Sequence, residues 1–177
     1  MDATIRRWIV DVLQAHLELL AIPMRQRAKF EHWLKFELSA YAEQHGATQL
    51  EVEAPLANGF RSDVAFYWQA ARYHIELKTP NTNYRMPGVE NRTCPITKNV
   101  HEIIEDGKKL NDCEARGVVA FVLCPIPQGD NRWKEYMERI SGELDIRLSE
   151  EANCSRVTIA VGNGHFCEAV VCCFACP

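Results

Sequence analysis

The stretch Gly117 to Cys124 reads Gly-Val-Val-Ala-Phe-Val-Leu-Cys, an unbroken apolar run. A strand with one wet face alternates apolar and polar side chains, whereas one without polar positions must be covered on both faces. The run therefore predicts a central strand between two helical layers, an α/β domain with a mixed sheet. The 177 residues, 47% of them hydrophobic, suffice for one core and not for two domains, so a single domain spanning 1–177 is expected.

The flanking segments supply the layers. Residues 3 to 21 follow a helical period, with Ile5, Trp8, Ile9, Val12, Leu13 and Leu20 on one stripe. Pro23 is expected to end this N-terminal helix, and a second runs from about Met24 to Gln44, closing at Gly46. Its stripe holds Phe30, Trp33, Leu34, Glu37, Leu38 and Tyr41, so Glu37 faces where the apolar side chains face, while Glu31 reads as more exposed. His16 lies beside the first stripe with no partner in view. Gln49 to Ala54 alternates as a half-buried strand, with Glu51 and Glu53 on its solvated side. Pro55 and Asn58-Gly59 mark a turn. Asn99 to Asp112 reads as a helix opened by an Asn99/Glu102 capping box, its Lys108 and Lys109 solvated. Asp130 or Asn131 caps another helix, with Trp133, Tyr136, Met137 and Ile140 inward. A C-terminal hairpin at 156–176 turns at Gly162-Asn163-Gly164.

Between these elements, Arg61 to Lys78 reads as a hairpin carrying ionisable groups on one face. In its second strand His74, Glu76 and Lys78 share a face and Ile75 and Leu77 the other. In the first, Val64, Phe66 and Trp68 oppose Asp63, Ala65 and Tyr67. A turn around Gln69 to Arg72 lets Asp63 approach Glu76. Two carboxylates and an ammonium on a half-buried sheet call for compensation, because each desolvated charge costs several kcal/mol. A hard divalent cation is one such compensation, since magnesium takes one or two carboxylates plus water and phosphate oxygens.

The order Asp63, then Glu76-Leu77-Lys78 on the next strand, resembles the PD-(D/E)xK nuclease superfamily, the restriction-endonuclease-like fold. The resemblance covers roughly residues 30–127: a helix, the hairpin, a crossover helix and a further core strand. Ser62 stands before Asp63, where the motif has proline. The resemblance implies a metal-dependent nuclease, endonuclease or exonuclease, cutting DNA in preference to RNA. Asp63, Glu76 and the Leu77 carbonyl would bind magnesium or manganese, Lys78 would position the attacking water, and Glu37 would be the assisting helix glutamate. Arg61, on the face of Asp63, would meet the scissile phosphate. The loop from Thr79 to Pro95 is long enough to be functional, with Tyr84 as a base-stacking ring and Arg85 and Lys98 as phosphate partners.

Two other readings stand beside this one. The same charges can form an ion-pair cluster in a non-catalytic interaction domain. The second alternative is a redox or metal-cluster protein built on the C-terminal cysteines, with His165, Cys167, Cys172, Cys173 and Cys176. Against it, Cys172 and Cys173 point to opposite faces of a strand, and reduced, buried thiols are expected for all eight cysteines. A net charge of −4 excludes a uniformly basic nucleic-acid binder but not a local basic patch. No apolar stretch reaches the ~18 residues of a membrane span, and no signal-peptide layout opens the chain. A cytoplasmic protein is expected, with a homodimer possible if the substrate is duplex.

Overall fold

A computed structural model describes every residue except Asn58, Asp112, Glu114 and Pro177. Asn58 of the expected turn and Asp112 of the expected helix end therefore lie outside the described residues. Three helices come first: α1 (Asp2–Ala15), α2 (Leu17–Gln26) and α3 (Glu31–Gln44). A meander follows, β1 (Thr48–Pro55), β2 (Arg61–Trp68) and β3 (Ala71–Lys78), then α4 (Ile96–Asn111) and β4 (Arg116–Pro127). The chain closes with α5 (Lys134–Leu144), a short α6 (Glu150–Asn153), β5 (Cys154–Gly162) and β6 (His165–Ala175).

The strands form one mixed six-stranded sheet in the order β1-β2-β3-β4-β6-β5. β1, β2 and β3 pair antiparallel, β3 and β4 pair parallel across the α4 crossover, and β4 pairs antiparallel with β6. A parallel pair cannot be joined by a tight turn, which is why the longest connection, residues 79–115, falls here. β4 is the central strand its composition predicts. Val118, Ala120 and Val122 join Ile5, Trp8, Leu13, Leu34 and Leu38 of α1 and α3 in one core. Val119, Phe121 and Leu123 join Val100, Ile103 and Ile140 of α4 and α5 in the other. Gly107 sets the close approach of α4 and α5, because a Cβ there would lie 2.7 Å from Leu144 Cδ1. No helix among the described residues is long and apolar enough to cross a membrane.

The expected helix at 3–21 is two helices. It breaks at His16, which leaves helical geometry at φ −127° and ψ 30° while its N–H still bonds Leu13. The break lets α1 lie on β6 and α2 on β5. Pro23 is inside α2 rather than ending it. It forgoes one backbone bond, and the helix runs on to Arg27, whose left-handed backbone (φ 50°) turns the chain away. α4 begins earlier than the capping-box reading placed it, so Asn99 is a buried residue of the helix and not its cap. The β2–β3 hairpin turns on Gln69 and Ala70, both at positive φ (48° and 64°), the two-residue geometry that suits the twist of paired strands.

Candidate active site

The β2–β3 register pairs Val64 with Ile75, so the pair beyond it, Asp63 and Glu76, stands side by side. Ile75 and Leu77 fill the first core, which turns Glu76 and Lys78 to the opposite face. Asp63 is pinned at both oxygens: Oδ2 accepts the Leu77 N–H at 2.8 Å, and Oδ1 lies 2.7 Å from Lys35 Nζ. Lys35, on α3, also pairs with Glu53 of β1. Glu76, only 4% exposed at its side chain, pairs with Lys109 of α4. Lys109 lies 3.4 Å from Asp106, and Lys78 Nζ lies 3.0 Å from Asp106 Oδ2. Glu31 of α3 accepts the N–H of Thr79, the residue after Lys78, at 3.3 Å.

Five elements thus bring together the carboxylates of Glu31, Glu53, Asp63, Glu76 and Asp106 and the ammoniums of Lys35, Lys78 and Lys109. Carboxylates outnumber ammoniums in a half-buried cluster, which sets the protonation of each group. Burial pushes the Glu76 carboxyl up to about 8; Asp106 pushes the same way and Lys109 opposes them. Glu31 is also raised by burial, against the pull of Lys78. Burial works against the charge of Lys78, but Asp106, Glu31 and Asp63 outweigh it, so this lysine stays protonated well above the ordinary range. Glu76 Oε1 and Asp106 Oδ2 are buried, and each is met by a lysine ammonium at ion-pair range. Among the described residues no three His, Cys, Asp or Glu side chains form a ready-made metal cage.

The structure brings Asp63, Glu76, Leu77 and Lys78 together and leaves Glu37 out. Glu37 points away from the sheet and lies 3.5 Å from His16 Nε2, giving that histidine the partner its sequence context lacked. The helix glutamate at the site is Glu31, one face round. Tyr84 is not a free stacking ring: it is 8% exposed, packs in the second core, and lies under the Arg132 guanidinium at 4.4 Å. Arg85 is exposed, and Lys98 is 74% exposed beside Glu102 at 3.6 Å. Arg61 keeps its place near the site through its carbonyl, which accepts from Lys109 at 3.1 Å.

Glu53 and Lys109, both read from sequence as solvated, belong to the cluster, as do Lys35 and Asp106. A signal was present for the helical members. Lys35 sits among the buried Leu34, Leu38 and Ser39, and Asp106 sits between Ile103 and Leu110, so each interrupts an apolar stripe with a charge. Glu31 lies four residues before Lys35 on the same face.

Among the described residues the cysteines form no group that could hold a metal ion. No disulfide is formed among the described residues, and Cys172 and Cys173 belong to different cores. Cys154 and Cys172 approach to 2.9 Å between sulfurs, inside the apolar layer. Burial drives the Cys167 and Cys176 thiols up to about 12, which disfavours the thiolates a metal cluster requires. Comparison with protein-family models, with curated proteins and with solved structures finds no match.

Proposed function

We propose that the protein is a divalent-metal-dependent phosphodiester hydrolase of the restriction-endonuclease-like fold, acting on DNA in preference to RNA. The observation that carries the reading is Asp63 beside Glu76, with Lys78 two residues further along the same face, in a cluster where carboxylates outnumber ammoniums. The order of elements supports it: a helix, a three-stranded meander, a crossover helix and a parallel strand.

The residues fit a magnesium or manganese ion. Its site calls for one or two carboxylates with the rest of the shell left to water and substrate, so a preformed three-ligand cage is not required. Asp63 and Glu76 would hold it, with the Leu77 carbonyl, and the ion would share with Lys109 the compensation of the buried Glu76 carboxylate. The ion, when bound, supplies Lewis-acid polarisation of the phosphoryl oxygen. Lys78 does not act as the base, because Asp106 keeps it charged. It orients the attacking water and stabilises the negative charge that develops on the phosphoryl group. Glu31 anchors the backbone just after Lys78 and takes the place expected of Glu37. Arg61 is retained as a partner for the scissile phosphate.

Calorimetry with magnesium and manganese, followed by cleavage of single- and double-stranded DNA, tests this. Asp63→Asn/Glu76→Gln is expected to lose both metal binding and cleavage. Lys78→Ala is expected to keep metal binding and lose at least about 100-fold in cleavage rate. Negligible metal binding by the native protein, with no cleavage at saturating metal, would establish the cluster as a structural ion-pair network in an interaction domain. Sedimentation alone and with duplex tests whether the protein is a dimer.

A further inference from the structure

A second charged region lies beside this site and has the opposite sign. A hollow of about 360 Å³ is lined by Arg27, Lys29, Asn81, Arg92 and Asn99, with the chain from Thr93 to Pro95 entering α4. It has three cationic residues and no carboxylate in its lining, in a chain whose acids outnumber its bases, 24 to 20. Lys29 donates to the Asn99 amide oxygen at 3.3 Å, and neither Lys29 nor Arg92 has a carboxylate within ion-pair distance among the described residues. Both are exposed and able to move onto a ligand.

Two buried groups behind them are incompletely served. Arg27 is 4% exposed and donates to the carbonyls of Glu90, Thr82 and Tyr84, with no counter-ion among the described residues. A buried cation paired only with neutral dipoles is electrostatically under-compensated, and an anion in the hollow would relieve it. Asn81 is also 4% exposed, and its side-chain oxygen has no hydrogen bond. Its amide also carries an NH2 group, a donor for an anion. Pro95 and Asn99, at the start of α4, close the same side. Two exposed cations, a buried guanidinium and an amide able to donate line one hollow, which is the chemistry of an oxyanion site.

We propose that this hollow is a phosphate subsite that holds a backbone phosphate of the nucleic acid away from the bond being cut, through Lys29, Arg92 and Asn81. Its place in the fold matches. Asn99 precedes Asp106 by seven residues on α4, roughly 10 Å along the helix axis, which is about three nucleotides of one duplex strand. Lys29 is two residues from Glu31, and Asn81 two from Thr79, so both sites are built on the same two segments. The identity of the phosphate as a nucleic-acid one rests on the nuclease reading; the oxyanion site itself does not.

The test uses the full chain and two probes. Inorganic phosphate is titrated while the side-chain amide signals of Asn81 and Asn99 are followed by NMR. A labelled DNA duplex is then titrated in EDTA across a range of salt concentrations. Phosphate is expected to shift both amides in the native protein, at least tenfold more weakly in Lys29→Ala/Arg92→Ala. The same variant is expected to lower the slope of log affinity against log salt by about 1.5 to 2, since each lost phosphate contact removes about 0.9. Phosphate shifts that are absent, or equal in the variant, overturn the site. Phosphate shifts that depend on Lys29 and Arg92, with an unchanged DNA slope, identify free phosphate or a small phosphoester as the ligand and overturn the backbone assignment. A lowered slope in a protein that cleaves nothing upholds the subsite and refutes only the nuclease reading.

Discussion

Glu76 offers the sharpest test of the site's electrostatics, because the structure makes its charge a burden on the folded protein. Its carboxyl has an ordinary value of 4.5 and is raised to about 8, first by burial and then by Asp106. A group whose value rises on folding contributes stability that is complete below its unfolded value and is lost as pH climbs through the folded one. Each pH unit across that interval removes about 1.4 kcal/mol. By pH 7 the unfolded chain has released this proton while the folded protein still holds it, which costs about 3 kcal/mol. Glu76→Gln keeps the shape and removes the titration. Lys109 then loses its closest partner but retains Asp106 at 3.4 Å, so part of the gain is given back. The expected net stabilisation in EDTA at pH 7 is about 2 kcal/mol, a rise in Tm of about 4–8 °C for a chain of this size. At pH 5 the two proteins should melt nearly together, and by pH 8 the gap should be widest. The assay is thermal unfolding by circular dichroism from pH 5 to 8. A variant less stable than the native protein at pH 7, or a gap that does not change with pH, would refute the reasoning and make Glu76 a carboxylate held ionised by Lys109.

His74 works in the opposite sense. Burial and then Arg72 lower its value, and its ring bonds Ser62 at 2.8 Å and accepts from Arg72 at 3.3 Å. Its contribution is present above pH ~6.5 and lost as pH falls through that value toward the lowered folded one. His74→Gln should therefore flatten the acid limb of the same melting series. Arg27→Ala should free the 82–90 segment, because three backbone carbonyls lose a charged donor worth ~1.5 kcal/mol or more each. Hydrogen exchange should show faster exchange in that segment, with β4 still protected.

Much of this architecture is legible in the sequence. The apolar run of β4 required helices on both faces, and α1, α3, α4 and α5 supply them. Period-two alternation placed Ile75 and Leu77 in the core and Glu76 and Lys78 on the other face, and the C-terminal turn is where Asn163 and Gly164 take positive φ. Boundaries fared worse. Pro23 is a local breaker that the packing of α2 on β5 overrode, and His16 carries no breaking signal of its own.

What the sequence determined by itself was therefore periodic: which residues share a face, and so which carboxylates and lysine of the hairpin stand together. What only the tertiary structure decided was which faces of separate elements meet. The rotation of α3 about its axis put Glu31 and Lys35 toward the sheet and Glu37 toward His16. The seating of α4 brought Asp106 and Lys109 onto Glu76 and Lys78. The path of the long loop buried Tyr84 and joined Arg92 to Lys29 around a common hollow. Periodicity is local, repeating every two or 3.6 residues. The position of one element against another is set by the packing of two apolar surfaces, and no spacing along the chain encodes it.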